Sequence, residues 1–121
     1  MKLKKVLAIT GCLWVVVSPC LAVAGDPDCK GVDRWPTVSA FVHLKNAGIT
    51  DNSKIDFAKT NTRRLSSEKI GKDLYRQVHD VKFTEKSGNI IELITVNDAS
   101  SEECSVSGVE VFVISKHLGG Q

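Results

Sequence analysis

The 121-residue sequence lacks the short motifs of the common enzyme and cofactor classes. It has no Cys-x-x-Cys pair, which excludes the usual thiol redox motif, and no glycine-rich loop after a strand pattern, which excludes the usual phosphate-binding loop. Aromatic residues make up only 6% of the chain and form no ladder on which the bases of single-stranded nucleic acid could stack. No internal repeat, low-complexity tract or interdomain linker is present, so the sequence predicts one domain.

Metal ligands and catalytic side chains are sparse as well. The three histidines, His43, His79 and His117, fall on three different predicted elements, and no two have the spacing of a helical zinc site. His79 is followed by Asp80, but adjacent side chains of a strand point to opposite faces, so the two cannot form an oriented catalytic pair there. No nucleophile motif is present. The sequence therefore predicts no metal, no cofactor and no catalytic site.

An acidic segment at residues 97–103 offers several oxygen ligands of the kind that calcium prefers. It lacks the glycine and the ligand spacing of an EF-hand loop. We interpret it as a solvent-exposed turn whose side chains bond to nearby backbone groups.

Residues 1–24 have the three parts of an export signal in the usual order. A lysine-rich start is followed by an apolar run and then by a small-x-small sequence that ends at Ala24. The sequence predicts cleavage after Ala24. This leaves a single exported domain, residues 25–121, in the periplasm or outside the cell.

Two alternatives to a cleaved signal are open. A retained membrane anchor is one, since the apolar run approaches the roughly 20 residues needed to span a bilayer, although Pro19 would break such a helix. A lipid attached to Cys12 or Cys20 is the other. Attachment at Cys12 would leave a strongly apolar run at the start of the mature chain, and Pro19 is a poor residue at a cut before Cys20.

The charge distribution excludes a general affinity for polyanions. The chain has 16 basic and 14 acidic residues, but three of the lysines lie in the predicted signal, so the mature domain is close to neutral. Basic residues are concentrated in residues 54–76 and acidic residues in residues 77–121. We expect no nucleic-acid partner and, after signal cleavage, no membrane contact.

Two cysteines, Cys29 and Cys104, remain in the mature domain. An exported protein can form disulfides, so the sequence predicts a Cys29–Cys104 bridge, with free thiols or a metal pair as the alternative. The bridge closes a loop of almost the whole domain, for which the chain-entropy model gives about 4.5 kcal/mol. We therefore expect a structural disulfide whose reduction loosens the fold as a whole.

The clearest helix is predicted from Pro36 to Gly48. Proline is tolerated in the first helical turn, and glycine can end a helix in the left-handed conformation. The helix is expected to face the sheet through one stripe of side chains, which comprises Val38, Phe41, Val42, Lys45, Leu44 and Ala47.

Four strands are predicted after the helix. Residues 55–65 have the weak, charged pattern of an edge strand, and residues 74–84 alternate between two faces. Residues 90–96 and 109–114 are apolar on both faces, so both are predicted to be central strands. A hairpin turn is expected at residues 86–89.

The predicted fold is α+β, with one N-terminal helix packed on a curved antiparallel sheet of about four strands and one disulfide. This layout resembles cystatin-like folds in architecture. One helix covers only one sheet face, yet two strands are apolar on both, so the second face needs a cover. Strong curvature, a second copy of the chain, a partner protein or a second helix at residues 67–78 could provide it. At residues 67–78 helical spacing competes with a strand pattern.

The order of an early cysteine, a helix, strands and a late cysteine resembles the layout of small exported bacterial proteins, including periplasmic toxin-immunity proteins. The sequence favours a non-catalytic binding protein, an inhibitor or immunity-type partner of another envelope protein. The alternatives are a small envelope enzyme that uses His79 with a carboxylate, and a structural homodimer.

Five residues belong to types that anchor protein interfaces and are candidate partner-binding residues. They are Trp35, Arg63, Arg64, Tyr75 and Arg76. A structural interpretation exists beside this one, because Trp35 could pack on its own sheet and Arg63 with Arg64 could protect an edge strand.

Overall fold

A computed structural model of the chain describes residues 26–114 and, apart from them, Gly11, Cys12, Val15 and Leu118. The predicted cleavage site, Cys20 and His117 lie outside the described residues. Within the described part of the chain, no helix has the length and apolar character that crossing a membrane requires.

One helix precedes four strands along the chain. The elements are α1 (Trp35–Asn46), β1 (Ile55–Gly71), β2 (Leu74–Glu85), β3 (Ile90–Ala99) and β4 (Glu110–Ile114). The strands form one antiparallel sheet in the order β1-β2-β3-β4. Helix α1 packs across one side of this sheet, which we call the inner face, and the opposite side is the outer face. The predicted α+β fold is confirmed.

The end of α1 follows from Gly48, as the sequence predicts. Its φ of +72° lies in the left-handed region that favours glycine. The N–H of Ile49 donates to the carbonyl of Leu44, and the N–H of Gly48 donates to the carbonyl of Lys45, both at 3.0 Å. These two hydrogen bonds are those of the Schellman motif, which satisfies the last carbonyl groups of a helix.

The buried stripe of α1 differs from the predicted one. Its buried residues are Pro36, Thr37, Ser39, Ala40 and Leu44. Val38, Val42, Lys45 and Ala47 were expected in the stripe but are exposed. The Thr37 hydroxyl forms a hydrogen bond of 2.7 Å with the Thr62 hydroxyl of β1, and this bond favours a rotation of the helix that turns the two valines outward.

The hydrophobic core lies between α1 and one half of the inner face. Its members are Ala40, Leu44, Ile55, Val81, Phe83, Ile91 and Leu93. The half-buried ring of Phe41 links this core to β1, with its centroid 5.1 Å from that of Phe57 and 5.9 Å from that of Phe83. Such aromatic pairs add to the free energy gained from burial.

Residues 67–78 form the β1–β2 hairpin and not a second helix. Ser67 lies opposite Gln77, and Asp73 makes the turn with a φ of +48°. In β2 the side chains of Tyr75, Gln77 and His79 are buried on the inner face, so a period of two outweighs the helical spacing. The alternative that residues 67–78 form a second helix, which would cover the outer face, is therefore wrong.

The Cys29–Cys104 disulfide is confirmed, with the two Cα atoms 5.8 Å apart. It joins the segment before α1 to the connection between β3 and β4. The hairpin turn at residues 86–89 is also confirmed, since the N–H of Glu85 donates to the carbonyl of Asn89 at 2.7 Å.

Most of the outer face is polar. Ion pairs join neighbouring strands there, namely Arg63 with Asp80 at 3.5 Å, Lys82 with Glu92 at 4.0 Å and Arg76 with Asp98 at 3.0 Å. Each contributes little stability because it is partly hydrated. Their charges nevertheless explain why this part of the outer face needs no second layer.

Candidate functional site

Strand β4 lies at an edge of the sheet, although its sequence is typical of a central strand. Among residues 26–114 it pairs only with β3, where Phe112 lies opposite Ile94 and Val113 lies opposite Leu93. The prediction of a central position is wrong because the sheet follows the order of the chain, which apolar pattern does not reveal. The backbone groups of β4 that point away from β3 can therefore accept another strand.

The other edge strand, β1, has features that discourage strand addition. Its pairing with β2 shifts at three places, between Asp56 and Asn61, between Arg64 and Ser66, and between Lys69 and Gly71. Such bulges and charged side chains are typical of protected edges. Strand β4 pairs with β3 without a shift, contains no proline and has its one charged residue, Glu110, at its first position. The two edges of the sheet therefore differ in protection.

An apolar groove runs between the C-terminal turn of α1 and β4. Its volume is about 560 Å³, which is in the range of small-ligand sites. It is lined by His43, Leu44, Ala47, Ile49 and residues 109–113. Two of these side chains, Ile49 and Val113, are nearly half exposed, so the groove is open to a partner.

The outer side of β4 is apolar as well. Phe112 is 54% exposed, and Ile94, which lies opposite it, is half-buried. A strand added to the edge of β4 would therefore cover apolar side chains on both faces of the sheet. Burial of apolar surface is the main favourable contribution to most protein associations.

The five predicted partner-binding residues do not form one surface. Trp35 is partly exposed and donates from its indole Nε1 to the carbonyl of Ser107 at 3.1 Å, which fixes the loop before β4. Arg63 lies on the outer face beside Asp80. Arg64 instead donates to the carbonyl of Pro27 at 3.3 Å.

The other two members of the set also have structural contacts. Tyr75 is only 5% exposed, so its side chain is part of the interior and not of a docking surface. Arg76 holds Asp98 through its Nε at 3.0 Å and a second guanidinium nitrogen at 3.4 Å. Only Arg63 among the predicted arginines presents a mostly exposed side chain together with a single, long ion pair.

The surface around β4 was missed by the sequence analysis. Its principal residues are Ile49, Val111, Phe112 and Val113. One feature of the sequence could have indicated this surface. Residues 109–114 are apolar on both faces and are the last of the four predicted strands.

His79 is completely buried on the inner face. Burial, with a smaller contribution from the nearby Arg64 guanidinium, lowers the pKa of its imidazole to about 4. The imidazole is therefore neutral near pH 7 and has no exposed surface through which to contact a substrate. This geometry gives no support to an enzyme that uses His79.

The buried imidazole predicts a pH-dependent stability. The unfolded chain takes up the proton near pH 6.5, whereas the folded protein takes it up only near pH 4. Protonation of His79 in the unfolded chain therefore lowers the free energy of unfolding as the pH falls below 6.5. The loss reaches about 3 kcal/mol near pH 4, and above pH 6.5 there is none. Urea denaturation at a series of pH values measures this loss.

The matched control is His79→Gln, which keeps a polar side chain but cannot titrate. Its stability should vary much less between pH 6.5 and 4 than that of the unmodified protein. Carboxylates whose pKa is lowered by hydrogen bonds, such as those of Asp51 and Asp73, act below this window. An equal dependence in both proteins would contradict the assignment to His79.

Comparison with known proteins does not assign a function, so the functional proposal depends on the geometry of β4 and the groove beside it. No family model, curated protein or solved structure matches the chain. Within the described residues there is also no group of three or more side chains suited to holding a metal ion.

Proposed function

We propose that the protein is a non-catalytic binding protein of the bacterial envelope, an inhibitor or immunity-type partner of another envelope protein. The partner adds an extended segment to the edge of β4 that faces away from β3, where no described strand lies. The observation that supports this most is β4 itself, a strand with a central-strand sequence at an unprotected edge. Such an edge invites pairing with another chain.

The surroundings of β4 define the kind of segment that fits. Main-chain hydrogen bonds to β4 would supply affinity that does not depend on sequence. Alternate side chains of the added strand would enter the groove beside Ile49 and Val113, and the others would lie beside Phe112. The favoured partner segment is therefore extended and apolar on at least the groove side, without proline where β4 requires a donor.

The replacement Val113→Lys tests this proposal. The lysine ammonium would lose its hydration when the partner covers the groove, so the affinity should fall at least about tenfold, or about 1.4 kcal/mol. The partner is first captured from a periplasmic extract on the immobilised mature protein and identified by mass spectrometry. It is then purified and titrated calorimetrically against each variant.

The matched control is Val42→Lys on α1. Val42 is 45% exposed and Val113 is 48% exposed, but Val42 does not line the groove. We expect this variant to bind the partner as the unmodified protein does. If Val113→Lys binds equally well, β4 is not the contact and the proposal is wrong.

A homodimer is the second candidate. Phe112 and Val113 are exposed on this edge strand, so β4 strands of two copies could pair antiparallel about a two-fold axis at Phe112 and cover both side chains. Light scattering of the purified mature protein separates the two candidates. A monomer favours the heterologous partner, and a dimer that Val113→Lys dissociates favours the second copy.

A further inference from the structure

The inner face of the sheet is divided into an apolar and a polar part. The apolar part is the core beneath α1. The polar part, which we call the polar row, consists of Gln77, His79, Thr95 and Asn97, each no more than 2% exposed. These residues are cross-strand neighbours, since Gln77 lies opposite Asn97 and His79 lies opposite Thr95.

Several polar atoms of this row have no protein partner within the described part of the chain. They are Gln77 Oε1, both ring nitrogens of His79, Thr95 Oγ1 and Asn97 Oδ1. Buried polar atoms are stabilised when they gain a hydrogen-bond partner. Exposure to water would therefore favour the polar row, whereas exposure of the apolar core is unfavourable.

Residues 26–30 cover the polar row without forming a helix or strand, and we call this segment the strap. The carbonyl of Pro27 accepts hydrogen bonds from Gln77 Nε2 at 2.8 Å and from Arg64 at 3.3 Å. Arg64 also forms an ion pair of 3.9 Å with Asp26. Within the described residues, the disulfide from Cys29 to Cys104 links the strap covalently to the connection between β3 and β4.

The far end of the disulfide also contacts the polar row. The carbonyl of Cys104 accepts a hydrogen bond of 2.8 Å from Asn97 Nδ2. By contrast, the core contains no residue of the strap, and α1 is fixed to the core through Ala40 and Leu44. The strap and the core are therefore separate packing units.

We propose that the strap is a lid held closed by the Cys29–Cys104 disulfide, and that a dithiol reductant opens it to expose the polar row while helix and sheet stay folded. This differs from the expectation that reduction loosens the whole fold. The reason is that the strap contacts the sheet through hydrogen bonds and an ion pair, whose polar atoms can bond to water instead once the strap opens. Once open, the polar row offers an imidazole and two amides to a polar ligand.

The reduction proceeds by thiol–disulfide exchange. Cys29 is completely buried and Cys104 is partly exposed, so a thiolate of the reductant attacks Cys104 Sγ. Cys29 leaves as a thiolate and takes up a proton. The second thiol of the reductant then displaces Cys104 from the mixed disulfide. In sum, two electrons and two protons pass to the protein, and the dithiol becomes a disulfide.

The test follows the imidazole of His79 by NMR in the oxidised and the dithiothreitol-reduced protein at low temperature. In the closed protein Arg64 of β1 and Asp28 and Lys30 of the strap lie near His79, and its pKa is about 4. Opening should raise this pKa towards the ordinary value of about 6.5. Exposed His43 is the internal reference, and its signal should not change between the two states.

Amide hydrogen exchange provides the second measurement. Reduction should speed exchange around the polar row by at least about tenfold and leave the core amides of β2 and β3 protected. The variant Cys104→Ser should behave as the reduced protein does without a reductant. Loss of helix signal on reduction would overturn the proposal, and so would a His79 pKa that stays near 4 in the reduced, folded protein.

Discussion

The variant Phe83→Ala is expected to lose about 3–5 kcal/mol of unfolding free energy. Phe83 is 1% exposed and lies in the core, where its ring packs against that of Phe41. Removal of the ring leaves a cavity that the paired strands cannot close. A domain of this size has a total stability of roughly 5–10 kcal/mol, so the variant should be close to unfolding in water.

Urea denaturation measures this loss, and Phe112→Ala is its matched control. Phe112 is exposed on β4, so its replacement should cost less than about 1 kcal/mol in the free protein. The same change should weaken binding of a partner at β4. If both phenylalanine variants lost the same unfolding free energy, Phe112 would be buried in the free protein. The exposure of its side chain on β4 would then be contradicted.

Removal of the disulfide in the variant Cys29→Ser/Cys104→Ser should lower the unfolding free energy by about 2–4 kcal/mol. Most of this loss arises because the unfolded chain gains conformational freedom. The full chain-entropy value of about 4.5 kcal/mol assumes that the folded state keeps its geometry after the bond is lost. If the strap opens, the folded state also gains freedom, so a smaller loss is expected.

Urea denaturation of the double variant, followed by far-ultraviolet circular dichroism, measures the effect. The transition midpoint should fall while the folded baseline keeps its helix and sheet signal. An unchanged midpoint would show that the bridge does not constrain the unfolded chain. A folded baseline without helix would show that the bridge holds α1 as well as the strap.

Much of the fold could be predicted because local signals and long-range packing agree. Pro36 and Gly48 mark α1, and the glycine's left-handed conformation is required by the end of the helix. The turn at residues 86–89 and the alternation along β2 likewise depend on neighbouring residues. The pairing of Cys29 with Cys104 could be predicted because few cysteines remain in the expected mature domain.

The errors arose where position in the fold overrides residue type. Val38 and Val42 are apolar but exposed, because α1 is rotated so that Ala40 and Leu44 enter the core and Thr37 contacts β1. The burial of Gln77 and His79 was not predicted at all, because it depends on residues 26–30, which are distant in sequence and cover them. The sequence pattern around each residue does not indicate this exposure or this burial.

The position of β4 was unpredictable for a related reason. Its apolar residues are the same whether a strand of this chain or of another protein lies beside it. Sequence pattern reports that both faces of a strand tend to be covered, but it does not identify the cover. The partner-binding set Trp35, Arg63, Arg64, Tyr75 and Arg76 was selected by residue type alone, which explains why its members lie on α1 and on both faces of the sheet.

Hydrogen–deuterium exchange with and without the purified partner tests whether the partner binds at the edge of β4. Added strand pairing should slow exchange in residues 110–114, and filling of the groove should slow it in residues 43–49. Exchange in β1 should stay as it is in the free protein. Protection of β1 with no change in residues 110–114 would contradict the assignment of the open edge of β4 as the binding surface.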